Sequence, residues 1–400
     1  MNVCGVICEY NPFHNGHLFH LAQARRQSGA DYVVCVMSGD VTQRGTFARH
    51  DKFLRTRMAL QGGADLVLQL PTRFSCAAAD EFAAGGVALL SALGVVTHLS
   101  FGCEPETLPV LLPAARALRA ETPAFRDALA SALQSGIPYP AAYAKAAEDT
   151  LAPDGTAELL SQPNAALALQ YLRVLPPDIT PVPVARTGRR HDEPGLHPLA
   201  GASAIRRALE DGLPASALAP SLPFASAVAE AEQRGFVHPE NALELPALWR
   251  LRSLSAAELA RLAGVSEGLE NRIAQAARQA GDRETWLSLC KTRRYTRARL
   301  SRIFTCALLG LTQPLASAHP SPEYARILGF RQSARPLLGA IGRRTCVPLV
   351  AKCADFDREN PLFALDVRAR DLWALGCKNP AARAAGSDFT TSPVMLEGTA

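Results

Sequence analysis

Ten cysteines are scattered at positions 4, 8, 35, 76, 103, 290, 306, 346, 353 and 377, yet no two form a Cys-x-x-Cys pair. That lack removes the commonest zinc and dithiol frameworks, and several cysteines sit inside apolar runs such as Val34-Cys35-Val36, so they read as reduced core residues. Cys4 and Cys8 alone have a spacing that suggests metal, and no second pair accompanies them, so no metal site is assigned. No apolar run approaches the ~18 residues that a membrane-spanning helix needs. No basic leader with a hydrophobic signal segment precedes the first strand, and the expectation is a cytoplasmic protein without a membrane partner. Charge of neither sign dominates: 42 Lys and Arg against 37 Asp and Glu leave a net +5, which decides nothing between a metabolite and a nucleic acid as partner. Four hundred residues suffice for two or three domains with a substantial core.

What the chain does have is concentrated in its first twenty residues. Val3 to Cys8 is a short apolar run of the kind that forms a strand buried on both faces of a parallel sheet. Asn11-Pro12 then imposes an extended or turn conformation, and Asn15-Gly16 opens a segment whose His17, Leu18, Leu21 and Ala24 recur at helical spacing. The free N–H groups and dipole of such a helix favour an anion at its start, and Gly16 admits a phosphate close to the backbone. His14 and His17 bracket that glycine. Two imidazole N–H groups beside a phosphate suit the electrostatic catalysis of nucleotidyl transfer. The plainer reading makes His14 a helix cap and His17 and His20 one helix face.

Further along, Tyr32 to Met37 reads as a second strand, completing a right-handed βαβ unit. The polar loop Ser38 to Gly45 follows its carboxyl end, where ligands of such sheets bind, and Asp40, Gln43 and Arg44 are candidate substrate contacts. Asp51 to Gly62 reads as a helix with Lys52, Arg55 and Arg57 on a solvated face. Asp65 to Leu70 and Val95 to Phe101 are further strands, with Gly102 placed where a nucleotide packs against backbone. Residues 105–160 form an alanine-rich helical insertion. Asn164 is a helix cap or a ligand contact. Pro181 to Ala185 is a last strand leading to Arg186, and Ser203 with Arg206 makes either a second anion site or an ordinary capped helix.

From residue 213 the pattern turns helical, through about 375. Arg293, Arg294, Arg297, Arg299 and Arg302 surround Tyr295 in the densest basic cluster, a composition that suits RNA through phosphate contacts and base stacking, or else forms a solvated helix end. If helical from Tyr295, the segment places Tyr295, Arg299 and Arg302 on one face. Residues 376–400 read as a flexible tail.

His14-Asn15-Gly16-His17 after a strand resembles the first signature of the adenylyltransferase superfamily. The longer string Glu9-Tyr10-Asn11-Pro12-Phe13-His14-Asn15-Gly16-His17 resembles one branch, the bacterial tRNA(Met) cytidine acetate ligases. Ser38-Gly39, Gln43-Arg44-Gly45, Phe101-Gly102, Pro163-Asn164, Arg186 and Ser203 with Ile205-Arg206 follow in that family's order. The resemblance implies a Rossmann-like α/β domain with a parallel five-stranded sheet over residues 1–212, followed by an α-helical tRNA-binding domain. It implies ATP contacts from Ile7, Cys8, Glu9, Tyr10, Asn11, Pro12, Phe13, His14, Asn15, Gly16, His17, Leu18, Phe19 and His20, and from Gly102, Asn164 and Arg186. Arg186 and Arg206 are candidates for the triphosphate. The implied reaction activates acetate as acetyl-adenylate, with release of pyrophosphate, and acetylates N4 of the wobble cytidine of elongator tRNA(Met). Mg²⁺ is expected with ATP, although no ligand cluster declares itself. No protein partner is expected. Gln69, Thr46-Phe47 and Gly201 depart from the family pattern, which more often has Glu, Glu-Pro and Ser there. The rival readings are a small-molecule adenylyltransferase of the coenzyme A or NAD type and an RNA-binding protein with a decayed site.

Overall fold

Val3–Cys8 forms strand β1, and its parallel neighbours are β2 (Tyr32–Ser38) and β4 (His98–Gly102), in register Cys4 to Val33 and Cys4 to His98. The structure, a computed structural model, describes residues 1–120, 122–137, 139–151, 162–185, 200–266 and 268–397. With β3 (Leu66–Leu70) beside β2 and β5 (Thr180–Val184) beside β4, five parallel strands lie in the order β5-β4-β1-β2-β3. This is the expected five-stranded unit. The central strands β1, β2 and β3 are buried along nearly their whole length because both faces are covered. On one face Val34, Val36, Leu66 and Leu68 pack with Leu89 and Leu90 of the helix Ala79–Ala92. On the other, Cys4, Val6, Cys35, Met37 and Val67 meet Leu21 and Ala24 of the helix Asn15–Ser28 and Met58 and Leu60 of Lys52–Gln61.

The sheet does not stop at β3. Strand β6 (Ala325–Arg331) pairs antiparallel with β3, and β7 (Leu349–Val350) and β8 (Val394–Leu396) both pair parallel with β6, giving eight strands. The chain after residue 212 is therefore helical only in part. From β6 onward it returns to the first domain, since an uncovered β3 would leave a row of buried N–H and C=O groups without partners.

The expectation of a flexible tail at 376–400 is likewise corrected for the described residues up to 397. Asp388 is fully buried, with its carboxylate 2.9 Å from Lys52 Nζ and 2.6 Å from the Arg326 guanidinium. A carboxylate between two buried cations is held by charge that composition does not reveal.

Residues 108–151 form three helices, Leu108–Ala120, Pro123–Gln134 and Tyr139–Leu151, and the first packs on the helix Pro163–Val174 as an insertion beside the sheet. A separate helical body collects Glu244–Ser253, Leu269–Gln279, Arg283–Cys290 and Arg297–Leu309 around Trp286, Ile273, Leu300 and Phe304. No helix among the described residues is long and apolar enough to cross a membrane.

Candidate functional site

The turn after β1 is built tightly. Tyr10 takes a left-handed φ of 50°, Asn11-Pro12 is cis, and the helix Asn15–Ser28 starts directly after His14. His14 is its N-cap: Nδ1 of His14 accepts the Gly16 N–H at 3.1 Å, while Nδ1 of His17 accepts the His14 N–H at 3.3 Å. The rings stack at 3.7 Å between centroids. A capping box normally uses Ser or Thr with Glu, and here two imidazoles do the same work. A nitrogen that accepts a hydrogen bond carries no proton, so a neutral ring bonded in this way holds its N–H at Nε2. Capping engages Nδ1 of each ring, so it does not by itself exclude a role for either Nε2 in chemistry. Gly16 is required because a Cβ there would meet Cε1 of His14 at 2.9 Å.

The rest of the motif supports these rings. Tyr10 and Phe13 are buried, with ring centroids 4.9 Å apart, and Tyr10 lies 4.8 Å from the His17 ring. Ile7, Cys8 and Phe19 are half-buried, Pro12 is buried, and Leu18 is exposed. The Asn15 side chain donates to the Pro220 carbonyl at 2.8 Å, and its backbone N–H to Ser221. Arg206 reaches across from the helix Ala202–Glu210 to donate to the Asn11 carbonyl at 2.6 Å, with Ser203 Oγ 3.4 Å from the same guanidinium. Ser203 and Arg206 therefore meet each other, and Arg206 meets the motif loop. His20 faces β4, its Nε2 3.0 Å from Ser100 Oγ, and burial pushes its ring down to a pKa of about 4, so it stays neutral at ordinary pH.

The carboxyl ends of β1 and β2 are stapled together by Arg55. Its guanidinium donates to the carbonyls of Glu9 at 2.7 Å, Ser38 at 3.0 Å and His50 at 3.1 Å, and also to Gly39. Lys52 is equally buried and binds Asp40 at 2.8 Å and Asp388 at 3.0 Å. The solvated-face reading of this helix holds for Arg57 alone; Lys52 and Arg55 are internal. A sequence signal existed: Lys52, Arg55, Thr56 and Ala59 recur at the spacing of the inward face. Asp40, read as a substrate contact, is fully buried between Lys52 and Arg370.

Gln43 and Arg44 behave differently. The Gln43 N–H donates to the Glu9 carboxylate at 2.6 Å, and Arg44 is exposed. Gly45, at φ 70°, is gripped from the helical body, because Ser301 and Thr305 hydroxyls donate to its carbonyl at 3.0 and 2.8 Å. A Cβ at Gly45 would lie 2.5 Å from Arg302 Cα, and Arg302 itself donates to the Gln43 carbonyl at 3.3 Å. Sequence reasoning missed Ser301 and Thr305, since nothing local distinguishes them from other polar residues of an amphipathic helix.

Gly102 ends β4 half-buried, and Asn164 lies in the first turn of Pro163–Val174. Arg186 falls outside the described residues. Among the residues that depart from the pattern, Gln69 is buried under Gly39 with neither amide atom bonded, Phe47 stacks on His238 at 4.7 Å, and Gly201 caps its helix without a side chain.

The basic cluster is rearranged relative to expectation. Thr296 caps the helix Arg297–Leu309, so Tyr295 lies outside it and shares no helical face with Arg299 and Arg302. Tyr295 is only 7% exposed, with Arg299 over its ring at 5.3 Å, so no base can stack on it. Arg299 donates to the Gly264 carbonyl at 2.8 Å, and Arg297 pairs with Glu284. Burial lowers the pKa of Arg302, which faces the Gln43 loop. Arg293 and Arg294 are exposed.

Residues 1–388 match the HIGH nucleotidyl transferase family. The tRNA(Met) cytidine acetate ligase of Acetivibrio thermocellus is 37% identical over 417 aligned residues, covering 99% of this chain and 100% of that protein. The protein of the same name from a Geobacillus species is 33% identical, again over 99% of this chain and 100% of the relative. The crystal structure of Thermotoga maritima TmcAL bound with alpha-thio ATP matches at a TM-score of 0.91, with 29% identity and 100% coverage of both chains. Its apo form matches at 0.92 with 28% identity. Strand, turn, paired histidines and helical body thus occur together in a chain that belongs to the tRNA(Met) cytidine acetate ligase family of HIGH nucleotidyl transferase enzymes.

Proposed function

We propose that the protein condenses acetate with ATP to give acetyl-adenylate and pyrophosphate, then transfers the acetyl group to N4 of the wobble cytidine of elongator tRNA(Met). The observation that carries this reading is the reciprocal cap of His14 and His17, which sets two stacked imidazoles at the start of a helix on the carboxyl edge of a parallel sheet. An acetate oxygen attacks the α-phosphorus, and the bond to the pyrophosphate oxygen breaks. The Nε2–H groups of His14 and His17 stabilise the charge gathering on the α-phosphate oxygens, helped by the helix N-terminus. The cytidine amine then attacks the acetyl carbonyl and AMP departs.

Residues from Ile7 to His20, together with Gly102, Asn164 and Arg186, are assigned to ATP. Arg206 is assigned to holding the motif loop beside the triphosphate. Arg44, which is exposed, and Gln43 are assigned to contacts with substrate. Arg293, Arg294, Arg297 and Arg299 are assigned to tRNA phosphates, whereas Tyr295 and Arg302 support the body that carries them. We keep the nucleotidyltransferase unit at 1–212, its sheet extended by β6 to β8 of the C-terminal segment, and assign the RNA contacts to the helices between. Among the described residues no group of three acidic, His or Cys side chains is gathered for a metal, so Mg²⁺ would enter with the triphosphate, and no step here is assigned to it. A small-molecule adenylyltransferase has no use for an RNA-binding body, and the match to the named tRNA(Met) cytidine acetate ligases runs through the helical body, over 99% of this chain.

The test is to incubate the purified chain with ATP, acetate and unmodified elongator tRNA(Met), then digest the RNA for nucleoside mass spectrometry. N4-acetylcytidine dependent on all three components is expected. Pyrophosphate release with no modified nucleoside would favour a metabolite acceptor.

A further inference from the structure

The burial of Tyr295 leaves the basic region without the aromatic that a single-stranded RNA would stack upon. Such an aromatic exists elsewhere in the same helical body. Trp249 is 68% exposed, Leu245 one turn before it is 64% exposed, and Trp249 is the one aromatic among the large apolar side chains left exposed in the described residues. Both lie on the helix Glu244–Ser253, which packs directly against Arg297–Leu309, the helix that follows the basic cluster. The first turn of Glu244–Ser253 also lies near the catalytic side of the molecule. Glu244 accepts the Arg283 N–H at 3.2 Å, the Arg283 guanidinium reaches Ser301 Oγ at 2.6 Å, and Ser301 in turn holds the Gly45 carbonyl.

Charge says what kind of partner this body receives. Between residues 244 and 302 there are twelve Lys and Arg against six Asp and Glu, leaving thirty and thirty-one in the remainder, so all of the chain's net positive charge is accounted for by this stretch. A protein partner could cover an exposed Leu and Trp, but an excess of six positive charges in the stretch that carries them suits a polyanion that also has planar apolar faces, which is a nucleic acid. We infer that Trp249, edged by Leu245, is the stacking platform for an unpaired base of the RNA substrate, supplying base contact where the neighbouring arginines supply phosphate contact. The inference rests on the proposed RNA substrate and locates a contact that neither motif nor basic cluster indicates.

The three tryptophans make the test direct, because Trp286 is 0% and Trp373 2% exposed, so Trp249 is the fluorophore that solvent quenchers reach. The full chain is titrated with an elongator tRNA(Met) transcript while tryptophan emission and acrylamide quenching are followed, and affinity is measured separately by filter binding. Stacking should quench the acrylamide-accessible emission and protect it from acrylamide. Trp249→Ala should weaken binding roughly tenfold without changing the salt slope, and Trp249→Phe should restore most of it. If the wild type binds tRNA while its emission is unaltered and Trp249→Ala binds equally well, the stacking platform is disproved and the RNA reading stands. If sedimentation then shows a dimer that Trp249→Ala dissociates, the surface is a contact between copies, which also overturns the inference. If the wild type binds no tRNA at all, the proposed function fails first and this inference with it.

Discussion

His14 and His17 each accept a backbone N–H through Nδ1, at 3.1 and 3.3 Å, so each ring is held by the helix start that it also serves. Capping and charge stabilisation can be separated by substitution. Asn is a good cap, so His14→Asn should keep the fold, with thermal stability close to wild type, while acetate-dependent pyrophosphate release falls about 10²–10³-fold, the loss found on removing one preorganised donor. His17→Ala should lose the same activity and leave tRNA affinity unchanged. A folded variant within a few-fold of wild-type rate would remove that histidine from the mechanism.

Gly45 is where the helical body grips the loop after β2. Gly45→Ala meets Arg302 Cα at 2.5 Å and must also hold a φ of 70°. The strained backbone alone costs about 1–3 kcal/mol. Denaturant unfolding should show that loss, and the displaced Gln43 should raise KM more than it lowers kcat. Wild-type stability in the variant would mean that the loop is not clamped.

Arg302 and the exposed arginines should now part company. Arg293→Ala with Arg294→Ala should weaken tRNA binding and flatten the slope of log K against log salt by about one to two units. Arg302→Ala should leave that slope unaltered and instead lower stability, because its guanidinium supports the Gln43 carbonyl. Filter binding at several salt concentrations distinguishes the two. A slope change with Arg302 alone would restore it to the RNA face.

Asp388 fastens the C-terminal segment to the first domain through Lys52 and Arg326. Asp388→Ala leaves two buried cations short of a partner and should destabilise the protein by about 3–5 kcal/mol. Unfolding by urea would show it, and a variant with unchanged midpoint would return the tail to the flexible reading.

Acid stability carries a signature of His20. Burial lowers its pKa to about 4, below the ordinary ~6.5, so the unfolded chain takes up the proton first. The contribution is fully present above about pH 6.5 and declines as the pH falls toward 4. Burial also lowers His50, and it holds His238 at about 4, so His20→Gln should flatten this limb without abolishing it. Parallel loss of stability in wild type and variant between pH 7.5 and 5 would contradict the assignment.

The legible parts were those written locally. The Val3–Cys8 strand, the turn and the helix after it follow from one apolar run, one Asn-Pro and one Asn-Gly, and the structure has them where the sequence indicates. The illegible parts depend on partners far along the chain. Nothing near Arg326 announces Asp388, and nothing near Lys52 announces either Asp40 or Asp388, so an internal ion network reads as a solvated face. Tyr295 was misplaced because the helix is capped by Thr296 and starts at Arg297 rather than at Tyr295. The pairing of β6 with β3 was missed for a similar reason, since strand pairing across more than 250 residues leaves no periodic trace in either segment.

The most direct measurement of the central claim is acetate-dependent ATP–pyrophosphate exchange without tRNA. Labelled pyrophosphate should enter ATP only when acetate is present, at a rate that tRNA is not needed to start and that His17→Ala abolishes. Exchange that proceeds equally without acetate, or that survives the loss of His17 in a folded protein, would contradict acetyl-adenylate formation at the paired histidines.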